Sequence, residues 1–222
     1  MQIERSMNEL MNKLNLMDCM EGMKLFPDKY FELAIVDPPY GIGMDGQKLS
    51  ICKNPKHNRK EHIRKKWDRK IPDKCYFDEL KRISRNQIIW GGNYFTNFLY
   101  PVKAWIIWDK GQYGLTMSDG EMAWTSYNTV MRIKKINRCE LLKQKTIHPT
   151  EKPIKLYRWL LQNYAKPGDK ILDTHVGSGS SLIACWEEGF EYCGFEIDED
   201  YYIAACNRLE QVQAQGKLFA TV

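Results

Sequence analysis

The chain has no run of eighteen apolar residues, so nothing in it reads as a membrane-spanning helix. No basic n-region followed by an apolar core opens it, and a secretory leader is not expected. It has seven cysteines, an odd number, and no C-x-x-C pair. That usage fits a reducing compartment and buried free thiols rather than a disulfide framework. Cys52, His57, His62 and Cys75 are separated by four, four and twelve residues, a spacing that matches no compact zinc motif. They read as polar residues scattered in a basic loop, and no metal is expected. Repeats and low-complexity stretches are absent too. What is there is 222 residues, 43% hydrophobic, with seven tryptophans, enough to bury the core of one globular domain over 1–222.

Charge is unevenly spread. The net charge is +5, yet residues 48–74 hold eleven Lys or Arg against three acids, a local +8, so the rest sums to −3. Most such runs are solvated loops. This one begins eight residues after Tyr40, beside the corner described next, and would lead a polyanion to it. Lys60, Arg64, Lys65, Lys66 and Arg69 are its candidate DNA contacts, with Trp67 placed to stack or wedge. The segment at about 45–74 therefore reads as a basic insertion.

The apolar run Leu33-Ala34-Ile35-Val36 ends in Asp37-Pro38-Pro39-Tyr40. Two prolines remove two backbone donors, so the corner offers carboxylate and carbonyl acceptors without competing N–H groups. Tyr40 adds a flat face for a base. An exocyclic amine placed there would donate to Asp37 and to a proline carbonyl. Downstream, Lys170-Ile171-Leu172-Asp173 reads as a buried strand leading into Thr174-His175-Val176-Gly177-Ser178-Gly179-Ser180. Glycines there let backbone approach a ligand closely. Glu196 follows the next strand, 23 residues after Asp173, near the spacing at which doubly wound folds hold a ribose. The loop after Asp173 is neither G-x-G-x-x-G nor G-K-[ST], so a nucleoside-type cofactor without pyrophosphate fits it better.

These residues resemble the amino-methylating DNA methyltransferases that use S-adenosylmethionine. The family's D-P-P-Y stands at 37–40, its H-P-T-x-K-P signature at His148 to Pro153, and its D-x-F-x-G-S-G-[ST] loop at Asp173 to Ser180. Catalytic motif before cofactor motif is the order of the family's β group, a circular permutation of the usual methyltransferase sheet. The resemblance spans about Leu14 to Leu209. His175 replaces the family's usual Phe, making the wall beside the cofactor more polar. The resemblance implies catalysis at Asp37, Pro38, Pro39 and Tyr40. It implies cofactor contacts from Asp18, Asp37, His148, Thr150, Lys152, Asp173, His175, Gly177, Ser178, Gly179, Ser180, Glu196 and Ile197. It implies direct transfer to adenine N6 of double-stranded DNA with the target base flipped out, releasing S-adenosylhomocysteine, in a bacterial or phage-derived cytoplasmic enzyme. Asp37 favours adenine over cytosine N4, since the cytosine enzymes more often carry Ser there. Cytosine-N4 or RNA methylation is the enzymatic alternative, and a nucleic-acid-binding module without transfer is the alternative of another class. The span Ile133 to Lys145 is too short for a separate target-recognition domain. Recognition then falls to the basic loop or to a partner, a second copy of the chain included, or is weak.

Strands are expected at Leu14–Met17, Leu33–Val36, Gln87–Trp90, Trp105–Trp108, Glu121–Ile133 (broken in two), Lys170–Asp173 and Tyr192–Phe195. Helices are expected at Cys19–Leu25, Tyr76–Ile83, from Pro153 to Asn163, Ser181–Glu188 and Glu199–Gln213. The alternation predicts a mainly parallel, doubly wound α/β sheet with the Asp173 strand between the Tyr192 and Leu33 strands. Other readings sit beside the functional ones. Asp18 is equally a helix N-cap, His148 and Thr150 fix a loop, Lys152 positions, and Gly91 to Phe95 either turn or line a base pocket. Trp105, Trp108, Trp124 and Tyr127 read as core, and Asp119 and Glu121 as loop acids that could face the base.

Overall fold

A polypeptide that alternates apolar runs with amphipathic segments buries both by laying helices on a sheet, and this chain does so on both faces. The computed structural model describes residues 7–46, 65–114, 118–137, 147–148 and 150–220. In chain order its elements are β1 (Lys13–Leu16), α1 (Cys19–Met23), β2 (Phe31–Val36), α2 (Lys74–Ile83), β3 (Ser84–Trp90), β4 (Trp105–Asp109), β5 (Gly120–Thr125) and β6 (Arg132–Lys135). Then follow α3 (Ile154–Tyr164), β7 (Lys170–Asp173), α4 (Ser180–Glu187), β8 (Glu191–Glu196) and α5 (Glu199–Ala220), with 3-10 turns at Trp67–Arg69 and Gly92–Tyr94.

Eight strands form one sheet in the order β1-β8-β7-β2-β3-β5-β4-β6. All neighbours are parallel except where β5 runs against β3 and β4. β7 lies between β8 and β2, as the motif order requires, with Ala34 opposite Leu172 and Asp173 opposite Gly194. Asp37 and the loop after Asp173 therefore leave the carboxyl ends of neighbouring strands, the position at which open α/β sheets bind ligands.

β2 shows why the sheet is covered twice. Leu33 and Ile35 enter a core with Trp90, Trp108, Leu160 and Ile183. Ala34 and Val36 enter the other core, with Phe77, Leu80, Leu172 and Phe195. A strand buried on both faces reads as an unbroken apolar run. The edge strand β6 carries Arg132, Lys134 and Lys135, charges that discourage pairing with another chain.

Several element ends differ from expectation, and the expected break in one strand is resolved. Pro153 occupies the N-cap of α3 with extended backbone, one position before the helix rather than within its first turn. The region expected as a broken strand over Glu121–Ile133 is two separate strands, β5 and β6, on opposite sides of β4. α5 runs past Gln213 to Ala220. No helix among the described residues is long and apolar enough to cross a membrane.

Candidate active site

At the end of β2 the chain turns through Asp37-Pro38-Pro39-Tyr40, and the Asp37 carboxylate is met on both oxygens. Tyr40 donates its hydroxyl to Oδ1 at 2.5 Å, and the Lys152 ammonium donates to Oδ2. Lys152 also lies 3.0 Å from Glu121, which pairs with Lys110 at 2.6 Å. The expectation of acceptors without competing donors thus holds for the backbone and fails for the side chains. Burial raises the Asp37 carboxyl above its ordinary range, against the pull of Lys152. Burial also pushes Glu121 up, but Lys152 and Lys110 outweigh it and hold that carboxyl at about 2. Lys152 stays charged, because Asp37 and Glu121 more than offset the cost of burying its ammonium.

Tyr40 is not a bare platform. Tyr94 stacks on it with centroids 4.9 Å apart, and Gly91 makes room for it, since a Cβ there would sit 2.1 Å from the ring. Gly91 has φ +69°, so the glycine serves both the turn and the close approach. Gly91, Asn93 and Tyr94 line the cavity, which makes the Gly91 to Phe95 stretch a wall as well as a turn.

The loop after β7 is organised from beneath. Asp173 is buried; it accepts the His175 N–H at 3.0 Å and the Ser181 hydroxyl. Burial raises its carboxyl to about 7 against those hydrogen bonds. Asp173 therefore shapes the loop and does not line the cavity. Gly179 and Ser180 are likewise outside the lining; Gly179 is the N-cap position of α4 at φ +80°, and Ser180 bonds Ser178 and Arg208. Gly177, at φ +55°, donates its N–H to Glu196 at 2.8 Å, and Glu196 also accepts from the Ile197 and Asp198 amides. His175 is pushed down to about 4 by burial, hence neutral, with Nδ1 2.9 Å from the Thr174 hydroxyl and its ring edge-on to Tyr76. Asp18 N-caps α1, accepting the Met20 and Glu21 amides, and lies outside the cavity lining. Of its two readings, the cap is what the fold uses.

One cavity of about 700 Å³ runs between these parts. Asp37, Pro38, Pro39, Tyr40 and Lys152 line one end, and His175, Gly177, Ser178, Glu196 and Ile197 the other. His148 and Thr150 bound it as well, with the Thr150 hydroxyl 3.1 Å from His148 Nδ1, so the pair fixes its own loop.

The basic segment departs most from expectation. Lys60 and Arg64 lie outside the described residues, while Lys66 and Arg69 are exposed. Lys65 does not face outward: it bonds Asp198 at 2.5 Å and Asp200 at 2.6 Å and stands 4.5 Å from the Tyr201 ring centroid. Trp67 packs against His148 and lines the cavity, and His148 in turn meets Tyr201. Two acids rather than a phosphate sit nearest Lys65, so the end of the run folds inward onto the loop after β8. Sequence reasoning missed Asp68, whose buried carboxylate accepts the Gly41 and Met44 amides and holds the turn after Tyr40. An acid inside a basic run was its only signal. Lys110 was missed too, and Glu121, which the sequence allowed either in a loop or at the start of a strand, stands on β5. Among the zinc candidates only Cys75 lies in the described residues, where no group of His, Cys, Asp and Glu is arranged to hold a metal.

Comparison with known proteins follows the same lines. A family model described as DNA methylase matches residues 56–207. The type II methyltransferase M.HinfI of Haemophilus influenzae is 24% identical, over 95% of this chain and 72% of that protein. The crystal structure of the M1.HpyAVI–SAM complex superposes with a TM-score of 0.61 at 18% identity, covering 88% of this chain and 98% of that one. The PvuII cytosine-N4-specific DNA methyltransferase gives 0.58 at 14% identity, covering 91% and 90%. At such identities the two structures bear on the fold alone. The chain belongs to the DNA methylase family, the S-adenosylmethionine-dependent methyltransferases of the N6/N4 type.

Proposed function

We propose that this chain transfers a methyl group from S-adenosylmethionine to the N6 amine of adenine in double-stranded DNA. The observation that carries the reading is the single cavity joining the Asp37 corner to the Gly177–Glu196 loop. Its far end fits the cofactor. Ile197 is 68% exposed beside two acids, an apolar cover for a purine face, and Glu196 keeps lone pairs for ribose hydroxyls beyond its backbone bonds. The Gly177 backbone, with no side chain, admits close approach. His175 supplies a neutral ring where a charged one would repel a cation. Bound there, S-adenosylmethionine supplies an electrophilic sulfonium methyl and departs as the neutral thioether S-adenosylhomocysteine.

The chain's own residues do the rest at the amine. Asp37 accepts one N–H and stabilises the positive charge that grows on nitrogen as the new bond forms, and the proton the methylated amine then sheds passes through Asp37 to solvent. A proline carbonyl accepts the other N–H, turning the planar amine toward tetrahedral geometry. Tyr40 and Tyr94 hold the base by stacking, and flipping the base out of the duplex is the access route. Asp37 in place of Ser supports adenine over cytosine. Exposed Lys66 and Arg69 supply phosphate contacts, and recognition beyond them falls to a partner or second copy.

DNA from a host stripped of its own methylases, expressing this chain, should contain N6-methyladenine on digestion and mass analysis. N4-methylcytosine alone would move the acceptor assignment to cytosine. Modified RNA with unmodified DNA would overturn the DNA assignment. Absence of cofactor binding by calorimetry would favour a binding module instead.

A further inference from the structure

Both oxygens of Asp37 are met by donors of the chain itself, and the donor at Oδ2 is a cation. An amine that gains positive charge on the same carboxylate is opposed by that cation. Lys152 cannot turn to water, because its side chain is 1% exposed. Its other anion within reach is Glu121, 3.0 Å away on β5, steadied from behind by Lys110 at 2.6 Å. Asp37, Lys152, Glu121 and Lys110 thus form a row of alternating charge that sums to zero, with one buried cation between two acids.

We propose that Glu121 is a positioning residue for methyl transfer: it draws Lys152 off Asp37 when the target amine arrives, and returns it when the site empties. The inference rests on the methyltransferase reading above. Lys152 then has two duties. Paired with Asp37 it opposes the rise that burial causes in that carboxyl, and with the target amine on Asp37 it must step aside.

The groups facing Asp37 are Tyr40 from its own corner, Lys152 from the loop before α3, Glu121 from β5, Tyr157 from α3, Tyr76 from α2 and Asp173 from β7. Both tyrosines on the helices are held far above their ordinary range by burial and stay neutral. Asp173 is itself raised to about 7 by burial, and the near charges acting on Asp37 in opposite directions are Lys152 and Glu121. Removing each should therefore move Asp37 oppositely, as fixed charges would too, so the positioning role is read in the plateau kcat of the Glu121 variant, which a purely structural ion pair would leave at the parent's value.

The test uses the parent chain, Lys152→Met, Glu121→Gln and the charge-conserving Lys152→Arg, each at saturating S-adenosylmethionine on duplex DNA. The acid limb of kcat should move to higher pH by about one unit in Lys152→Met. In Glu121→Gln the limb should move to lower pH, while the plateau kcat falls about tenfold with little change in KM for DNA, because Lys152 stays on Asp37. Lys152→Arg should keep the parent's limb. Titration of the Asp37 side-chain carboxyl by 13C NMR in cofactor-free protein gives the same two directions without turnover. Limbs and titrations that move the same way in both variants, or in neither, overturn the proposal. If Lys152→Met does not fold, an unshifted Glu121→Gln with a parent-like plateau overturns it alone. A parent with no transfer at any pH defeats the methyltransferase reading instead, and this inference with it.

Discussion

At the scale of single residues, the proposed function rests on Asp37. Its carboxylate is the acceptor a target amine needs, and the structure adds the donors that amine must displace, Tyr40 and Lys152. Asp37→Ala should cut methyl transfer by well over tenfold, because a charge-assisted hydrogen bond to the reacting group is lost. It also leaves Lys152 buried with Glu121 as its remaining anion. Cofactor affinity by calorimetry should stay within a few-fold, since Glu196 and the Gly177 backbone lie at the other end of the cavity. Retention of more than about a tenth of the rate would remove Asp37 from the mechanism. Sequence alone marked Asp37 through its position behind an apolar strand. It left Glu121 an open choice, because an acid beside a glycine looks alike on a strand and in a loop.

At the scale of elements, the segment over Lys65 to Arg69 behaves as two things. Trp67 lines the cavity against His148 and Lys65 pairs with Asp198 and Asp200 beside it, whereas Lys66 and Arg69 face solvent. Lys65→Ala should weaken S-adenosylmethionine binding about two- to fivefold, the size of partly exposed ion pairs. Its salt dependence of DNA binding should match the parent's. The double variant Lys66→Ala, Arg69→Ala should do the reverse, lowering the log–log salt slope by up to about 0.9 per phosphate contact while sparing the cofactor. Titrations of both variants against both ligands separate the two roles; equal effects would mean the segment acts as one surface. A run of like charges carries no signal about which cation turns inward, since that depends on acids 133 and 135 residues away.

At the scale of the whole molecule, two buried groups near the cofactor loop set opposing pH dependences. Asp173 has a folded pKa raised to about 7, so its contribution to stability falls as pH rises from its unfolded value through 7. His175 has a folded pKa lowered to about 4, so its contribution is present above its unfolded value and is lost as pH falls toward 4. Each shift corresponds to roughly 3–4 kcal/mol across its window, and the windows overlap. The parent should therefore melt at a nearly constant temperature between about pH 5 and 7 as far as these two groups act. His175→Phe removes one side of the balance, and its melting temperature should rise relative to the parent's as pH drops through that range. A difference that stays constant with pH would show that His175 titrates where an ordinary imidazole does.

Sequence by itself determined the alternation of strands and helices, the motif order and the place of the reacting corner. Those features are local: an apolar run buried on both faces is a strand wherever it lies, and two prolines after an aspartate remove donors in any fold. The permuted order also required β7 beside β2, because both motifs must leave adjacent strand ends to share a ligand. Only the tertiary structure decided what surrounds Asp37. Lys152 comes from 115 residues downstream, Glu121 from the strand that runs against its neighbours, and Asp68 from the far end of the basic run. Ionisation and burial depend on such distant neighbours, and no spacing along the chain encodes a distance of a few ångströms between them.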